Sequence, residues 1–153
     1  MKVVWAETHR QKVALSAWVS RQIWANANAA RDFGNCQAMM VLDGTELIAA
    51  TIFHNWEPDS GIIELSSASK DKRWLCRPVL KAMFEYPFNE CQCQAVVLRV
   101  ADDNKPMHRI AKAYGFEHYI IPRLRGRDAN ENVFVLTDDA WKTNRFNRKT
   151  EVN

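Results

Sequence analysis

No stretch of the chain approaches the ~20 uninterrupted apolar residues that a membrane-spanning helix needs, so we expect no membrane partner. The first residues also lack the apolar core and cleavage site of an export signal, which predicts a cytoplasmic protein. The chain also lacks a large excess of either charge, because 21 Lys and Arg against 18 Asp and Glu leave a formal net charge of +3. That excess is too small to indicate nucleic-acid binding, and we expect no nucleic-acid partner.

The four cysteines form no metal-binding motif. A Cys-x-x-Cys is absent, and Cys91 and Cys93 have the alternation of strand residues rather than the spacing of a zinc knuckle. His9 and His118 likewise have no partner at metal-ligand spacing. We therefore predict reduced, structural cysteines and no metal site.

Repeats and linkers are also missing, which limits the chain to one domain. Its 153 residues are enough for one buried core, and 47% apolar with 25% charged residues is typical of a folded globular protein. We assign residues 1–147 to a single domain and residues 148–153 to a flexible C-terminal tail.

A strong hairpin signal is present near the middle of the chain. Two apolar runs, 38–42 and 47–53, flank Asp43-Gly44. Asp-Gly supplies the positive φ values of a type I′ turn, so these runs predict a β-hairpin. A second turn at 57–61 leads into residues 62–67. Turn chemistry alone thus predicts three consecutive antiparallel strands.

The hydrophobic period then changes to that of helices. Apolar residues recur at three- and four-residue steps over 74–84, which predicts an amphipathic helix with Pro78 in its first turn. A second helix is predicted between an N-cap at Asp102-Asp103-Asn104 and a stop at Gly115.

The predicted order is β-α-(α)-β-β-β-α-β-α-β-β, a mixed α+β fold with helices on both faces of one sheet. The strands are predicted at 1–5, 38–42, 47–53, 62–67, 95–100, 116–121 and 132–137, and the helices at 8–24, at 74–84, between Asn104 and Gly115, and, as a candidate, at 26–33. A loop over 122–131 joins the last two strands.

Three pieces of sequence stand in the order and spacing of a known superfamily. They are the segment 82–88 before a strand, Asp103-Asn104 at the start of the next helix, and Tyr114-Gly115-Phe116 at its end. With the hairpins before them, they resemble the core of the GCN5-related N-acetyltransferase (GNAT) superfamily over residues 37–137. Within it, the chain looks most like the branch of ribosomal-protein alanine acetyltransferases and is similar to short phage-encoded members.

The resemblance implies both a fold and an activity. The fold is a central, mostly antiparallel sheet of six to seven strands with helices on both faces. The activity is transfer of an acetyl group from acetyl-CoA, the implied co-substrate, to a primary amine of a small molecule or protein, by a monomer or homodimer. The alternative is a GNAT-fold protein with weak or lost catalysis that binds a partner through its basic loop at 123–127.

The implied pyrophosphate site departs from the family signature. GNAT proteins carry Gln/Arg-x-x-Gly-x-Gly/Ala before the central helix, where this chain has Asp71-Lys72-Arg73-Trp74-Leu75-Cys76. A helix N-terminus still presents N–H groups and partial positive charge to an anion, and Arg77 and Lys70 add charge there. The alternative is that this basic segment is only a solvent-exposed helix start and binds no phosphate. The implied cofactor-binding residues are Ser66, Ser67, Ala68, Lys72, Arg73, Trp74, Leu75, Cys76, Arg77 and Asn104, the last with a compatible role as helix cap.

Glu64 is the implied catalytic base. It is the one carboxylate within the strand at 62–67, which borders the thioester in the resembling fold. An exposed or cross-strand pairing role is its alternative. His54, Glu57 and Asp59 are rival bases, because several relatives draw their base from the preceding strand or turn.

The general acid stays unassigned. The position at which many GNAT proteins carry a proton-donating Tyr is Ala111 here. We predict that the nearby Tyr114 belongs to the core and that His108 is exposed.

The loop at 122–131 is the last candidate site. Arg123, Arg125 and Arg127 alternate along it, so an extended backbone would point all three to one side. In the resembling fold this loop borders the acceptor, and fixed positive charge there favours an acceptor with carboxylates or phosphates. A solvated turn whose arginines pair with Asp128 and Glu131 is the alternative.

Overall fold

The computed structural model describes residues 1–24 and 33–147. The elements in this part of the chain are β1 (Lys2–Trp5), α1 (His9–Ile23), β2 (Gln37–Asp43), β3 (Glu46–Glu57), β4 (Ile62–Ser69), α2 (Arg77–Glu85), β5 (Ala95–Val100), α3 (Lys105–Tyr114), β6 (Glu117–Gly126), β7 (Ala129–Thr137) and α4 (Asp138–Thr143). A 3₁₀ turn at Lys72–Trp74 and one π turn at Tyr86–Glu90 flank α2. The predicted tail at 148–153 and, apart from Phe33, the candidate helix at 26–33 lie outside the described residues.

The strands of the described residues form one sheet in the order β1-β2-β3-β4-β5-β7-β6. Neighbouring strands are antiparallel except β4 and β5, which run parallel. The predicted hairpin joins β2 to β3, and Gly44 has a positive φ of 62°. The predicted type I′ geometry of Asp43-Gly44 was wrong, because Asp43 ends β2 without a positive φ. The mixed α+β class and the mostly antiparallel sheet are therefore confirmed.

Helices cover both faces of the sheet, as predicted. On one face, α1 packs Leu15 and Val19 into an apolar cluster that includes Ile52 of β3. On the other face, α2, α3 and α4 pack against a larger cluster that includes the adjacent β3 residue, Phe53. Consecutive strand residues point to opposite faces, so β3 contributes to both cores. The short helix α4, which the sequence pattern did not predict, is capped by Thr137.

The parallel pair of β4 and β5 is short, and this positions the site. Residues 62–64 of β4 pair with residues 95–97 of β5. Beyond Glu64 and Val97, the two strands run on to Ser69 and Val100 without pairing with each other. The sheet therefore opens as a wedge whose apex lies at Glu64.

The predicted start of the central helix was wrong. The helix begins at Arg77, with Pro78 in its first turn as expected, whereas Trp74 lies in the preceding 3₁₀ turn. The side chain of Trp74 packs into the larger core cluster. The apolar period over 74–84 therefore marked a continuous buried stripe but not one continuous helix.

The predicted loop at 122–131 was also wrong, because β6 continues to Gly126 and β7 begins at Ala129. Pro122 is tolerated in β6 because this strand forms the edge of the sheet, where one side of the backbone needs no ladder hydrogen bond. The pairing of β6 with β7 shifts after Ile121, and Arg123 has a positive φ of 67°. Simple alternation of the three arginines is therefore interrupted.

Candidate functional site

The wedge between β4 and β5 opens into a cleft of about 1040 Å³. Residues 65–69 and 98–101 of the two strands form its walls, and the cleft reaches both faces of the sheet. We call the part lined by Trp74, Leu75, Met83, Asn104, Met107 and Ala111 the helix side. The part lined by His54, Asn55, Glu64, Arg99, Arg125 and Glu131 is the polar side.

The strand β4 presents a backbone edge to the cleft. Its pairing with β3 continues as far as Ser69, while its other edge leaves β5 after Glu64. Ser66, Ser67 and Ala68, all implied cofactor-binding residues, line the cleft along this stretch. An exposed strand edge can hydrogen-bond an extended ligand through N–H and C=O groups, as in strand addition.

The start of α2 can bind an anionic group. Cys76 is the N-cap residue and makes no side-chain cap hydrogen bond, so no cap satisfies the N–H groups of the first turn. Trp74 and Leu75 line the cleft immediately before it. Four other implied cofactor-binding residues lie outside the lining of the cleft: Lys72, Arg73, Cys76 and Arg77.

One arginine of the basic cluster already has a neighbouring partner. The guanidinium of Arg73 donates to Asp71, with 2.7 Å between Nη2 and Oδ2. This bond lowers the pKa of the Asp71 carboxyl to about 2. Asp71 Oδ1 also accepts from the Arg73 backbone N–H at 2.9 Å, which caps the 3₁₀ turn. Arg73 is therefore part of a local surface pair, whereas the nearby Arg77 is in none of the ion pairs among the described residues.

Asn104 lines the cleft from the start of α3. Its Oδ1 accepts from the backbone N–H of Met107 at 3.4 Å, and this confirms the predicted cap. Contact between Asn104 and a ligand stays a prediction.

Glu64 lies at the apex of the wedge, on the polar side. Its Oε1 accepts from Asn55 Nδ2 at 3.1 Å, and its Oε2 lies 3.6 Å from His54 Nε2. The side chain is 17% exposed. Glu64 therefore pairs across the strands, as its alternative role required, and also lines the cleft, as a base must. The rivals Glu57 and Asp59 are exposed and do not line it.

His54 is buried beside Glu64. Its ring contacts Phe33, with 4.7 Å between ring centroids, and its Nε2 lies 2.8 Å from Ser66 Oγ. Burial lowers the pKa of His54 below the ordinary histidine value, an effect that Glu64 opposes and Arg99 reinforces. A neutral imidazole can accept a proton or relay one, so the chemistry of His54 beside Glu64 is compatible with proton transfer.

Sequence reasoning missed two polar residues that line the cleft, Arg99 and Glu131. The carboxylate of Glu131 accepts from Arg99 on one oxygen and from Arg125 on the other. The available signal was Arg99 itself, a charged residue inside the apolar strand at 95–100. The pairing of Arg125 with Glu131 was the alternative role predicted for a solvated turn, but here it joins two strands and the Glu131 carboxylate is buried.

The helix side offers no obvious proton donor at the usual position. Ala111 is buried and lines the cleft. Tyr114 is 5% exposed within the core, as predicted, and burial raises the pKa of its hydroxyl. The prediction of an exposed His108 was wrong, because it is 7% exposed and its Nε2 donates to the Ala101 carbonyl at 2.9 Å.

Within residues 1–24 and 33–147, no group of three or more His, Cys, Asp or Glu side chains could hold a metal ion. None of the helices described is both long and apolar enough to cross a membrane.

The sheet thus opens between two parallel strands, with the partly buried carboxylate of Glu64 at the opening and the uncapped start of α2 nearby. The family model of the acetyltransferase (GNAT) domain matches residues 1–117. The chain therefore belongs to the GNAT acetyltransferase family. No curated protein matches the chain.

Solved structures share the fold at low sequence identity. A mutant of the spermidine N-acetyltransferase SpeG from Vibrio cholerae is 12% identical, with a TM-score of 0.75 over 94% of this chain and 98% of that chain. The Salmonella typhimurium protein yncA, solved with acetyl-CoA, is 13% identical, with a TM-score of 0.69 over 89% and 92%. A GCN5-related N-acetyltransferase from Brucella melitensis is 19% identical, with a TM-score of 0.58 over 74% and 55%.

Proposed function

We propose that the protein transfers the acetyl group of acetyl-CoA to a primary amine, with Glu64 as the catalytic base. The observation that carries the proposal is the separation of β4 from β5 immediately after Glu64. A free strand edge and a carboxylate lie along one cleft, which is also lined by Trp74 and Leu75, the residues just before the uncapped start of α2.

The residues of the cleft fit a thioester with a long polar arm. The edge of β4 at 66–68 would hydrogen-bond the amide groups of the pantetheine arm, and the start of α2 would bind the pyrophosphate. Arg77 would add charge there and Asn104 would contact the arm. Because Trp74 packs inward, the loop approaches the phosphates with its backbone and not with this side chain.

Catalysis then needs an unprotonated amine at the apex. Glu64 accepts a proton from the incoming ammonium, directly or through His54. The amine nitrogen bonds to the carbonyl carbon as the carbon–sulfur bond breaks, the CoA thiolate leaves, and the second proton that the nitrogen loses passes to solvent. Ala111 cannot donate the proton that this thiolate takes up, so we propose that solvent supplies it.

Thermal unfolding with two ligands tests the cofactor half of this proposal. Acetyl-CoA at 100 times its Kd should stabilise the folded state by about 2.7 kcal/mol. Acetyl-pantetheine lacks the pyrophosphate, so it should stabilise the protein less at equal concentration. Absence of any shift with acetyl-CoA, together with no thioester consumption over a panel of amines, would contradict the proposal.

The second candidate, a non-catalytic binding protein that uses residues 123–127, has less support. Residues 123–126 of that segment belong to β6, and Arg125 donates two of its N–H groups to Glu131 of the same sheet. The cytoplasmic location, the monomeric or homodimeric state, and the narrower likeness to ribosomal-protein alanine acetyltransferases and phage-encoded members stay predictions.

A further inference from the structure

Two guanidinium groups on the polar side share one buried carboxylate. The Glu131 side chain is 4% exposed, with its Oε2 3.1 Å from Arg99 Nη2 and its Oε1 3.0 Å from Arg125 Nη2. The Nε of each arginine also donates to Glu131, at 3.2 Å in both cases. Because the three residues come from β5, β6 and β7, the carboxylate holds both guanidiniums in place across the sheet.

The cluster of Arg99, Arg125 and Glu131 keeps an excess of one positive charge. A guanidinium has five N–H donors, and Glu131 accepts from Nε of Arg99 and from Nε and Nη2 of Arg125. The side chains of Arg99 and Arg125 are 45% and 30% exposed, so the remaining donors are accessible. Guanidinium donors in a fixed fork match the oxygens of a carboxylate or phosphate.

The cluster lies beside the proposed base. Glu64 is in register with Val97 of β5, and Arg99 follows two residues later on the same face, about 7 Å along the strand. All three members of the cluster line the same cleft as Glu64. The polar side thus offers a carboxylate at the apex and an excess positive charge at a neighbouring position.

We infer that the acceptor is a small primary amine that also carries an anionic group, which Arg99 and Arg125 bind while Glu64 faces the amine. This inference rests on the proposed function. A polyamine would bring further positive charge against the two guanidiniums, so polycationic amines are disfavoured.

Acceptor preference gives the first test, measured as acetyl-CoA thioester consumption. The panel contains ω-amino acids from glycine to γ-aminobutyrate, their neutral amides, aminoethylphosphonate and spermidine. We expect kcat/KM to be ~10-fold or more higher for at least one acid than for its own amide, and spermidine to be poor. The phosphonate separates recognition of a phosphate-like group from recognition of a carboxylate.

Variants give the second test. Arg125→Gln and Arg99→Gln should each raise KM for the preferred acid by ~10–100-fold and leave the KM of its amide unchanged. Arg125→Lys retains the charge without the fork and should recover part of the loss. Arg127→Gln, an exposed arginine outside the cleft, is the matched control and should have no effect. Unchanged stabilisation by acetyl-CoA will show that each variant is folded.

The outcomes separate this inference from the proposed function. If amides or spermidine are acetylated as well as the acids, or if the arginine variants affect acid and amide equally, the inference is overturned while the activity stands. If no amine consumes the thioester, the proposed function fails and the inference fails with it.

Discussion

The ion pair near the start of α2 and the ion pairs on the polar side of the cleft differ in exposure and in sequence separation. At the start of α2, Arg73 is 78% exposed and its partner Asp71 is two residues away in sequence. On the polar side, Glu131 is 4% exposed and its partner Arg99 is 32 residues away. The first pair is a local surface contact that solvent and salt screen, whereas the second joins separate strands inside the sheet.

This difference predicts which groups bind the ligand on each side of the cleft. An exposed basic cluster can change in sequence at little cost, provided that the helix N-terminus remains. On the polar side, loss of the buried Glu131 carboxylate would leave Arg99 and Arg125 without their acidic partner. We therefore expect backbone groups to dominate on the helix side and specific side chains to dominate on the polar side.

The largest effect should come from the base. Glu64→Gln keeps the shape of the side chain but removes the proton acceptor, so the acetylation rate should fall by ~10²–10⁴-fold at unchanged acetyl-CoA affinity. Steady-state kinetics and calorimetry measure the two quantities. Glu57→Gln, on the neighbouring strand β3 and exposed, is the control and should retain activity. A wild-type rate in the Glu64 variant would transfer the role to another group, His54 first.

The next effect concerns Trp74, which replaces a small residue of the family signature. Its side chain is 8% exposed in the core, so Trp74→Ala should lower the free energy of unfolding by about 3–5 kcal/mol. Denaturant titration measures this loss. The control Trp56→Ala removes an indole that is 51% exposed and should change the free energy by about 0.5 kcal/mol or less. Equal losses in the two variants would show that Trp74 has no special structural role.

A smaller effect is expected from the exposed arginines at α2. Arg77→Ala should weaken acetyl-CoA binding by about 1–3 kcal/mol, because a charge-assisted hydrogen bond to phosphate is lost. Arg73→Ala should weaken it less, since this guanidinium is bonded to Asp71. Calorimetry compares the two variants. If Arg73→Ala weakened acetyl-CoA binding more than Arg77→Ala does, the pair of Arg73 with Asp71 would have to open when the ligand binds.

The smallest effect is a pH dependence of stability. Burial lowers the pKa of His54 in the folded protein, so the unfolded chain binds this proton more readily. The stabilising contribution is complete above the ordinary histidine pKa of 6.5 and is lost as pH falls through the window below it. Wild-type stability should therefore fall faster with acid than that of His54→Gln, by at most about 1.4 kcal/mol per pH unit. Melting temperatures between pH 7.5 and 5 test this, with the exposed His9→Gln as control. Parallel curves for His54→Gln and the wild type would contradict it.

Much of the fold could be predicted because its signals are local. The hairpin turn depends on the positive φ of Gly44, and Asn104 caps α3 through a bond to a residue three positions later. The boundary errors occurred where distant packing overrides such signals. Trp74 packs into the core although it lies outside α2, and Pro122 fits into β6 only because this strand forms the edge of the sheet.

The sequence by itself determined the order of the seven strands and of the helices α1 to α3, and it singled out Glu64 as the carboxylate within its strand. Only the tertiary structure decided that β4 leaves β5 at Glu64, that His54 is buried beside it, and that Arg99 and Arg125 meet on Glu131. The physical reason is the sequence separation over which each kind of interaction acts. Turns, caps and hydrophobic period depend on residues a few positions apart, whereas burial and shared ion pairs depend on which strands the sheet makes neighbours.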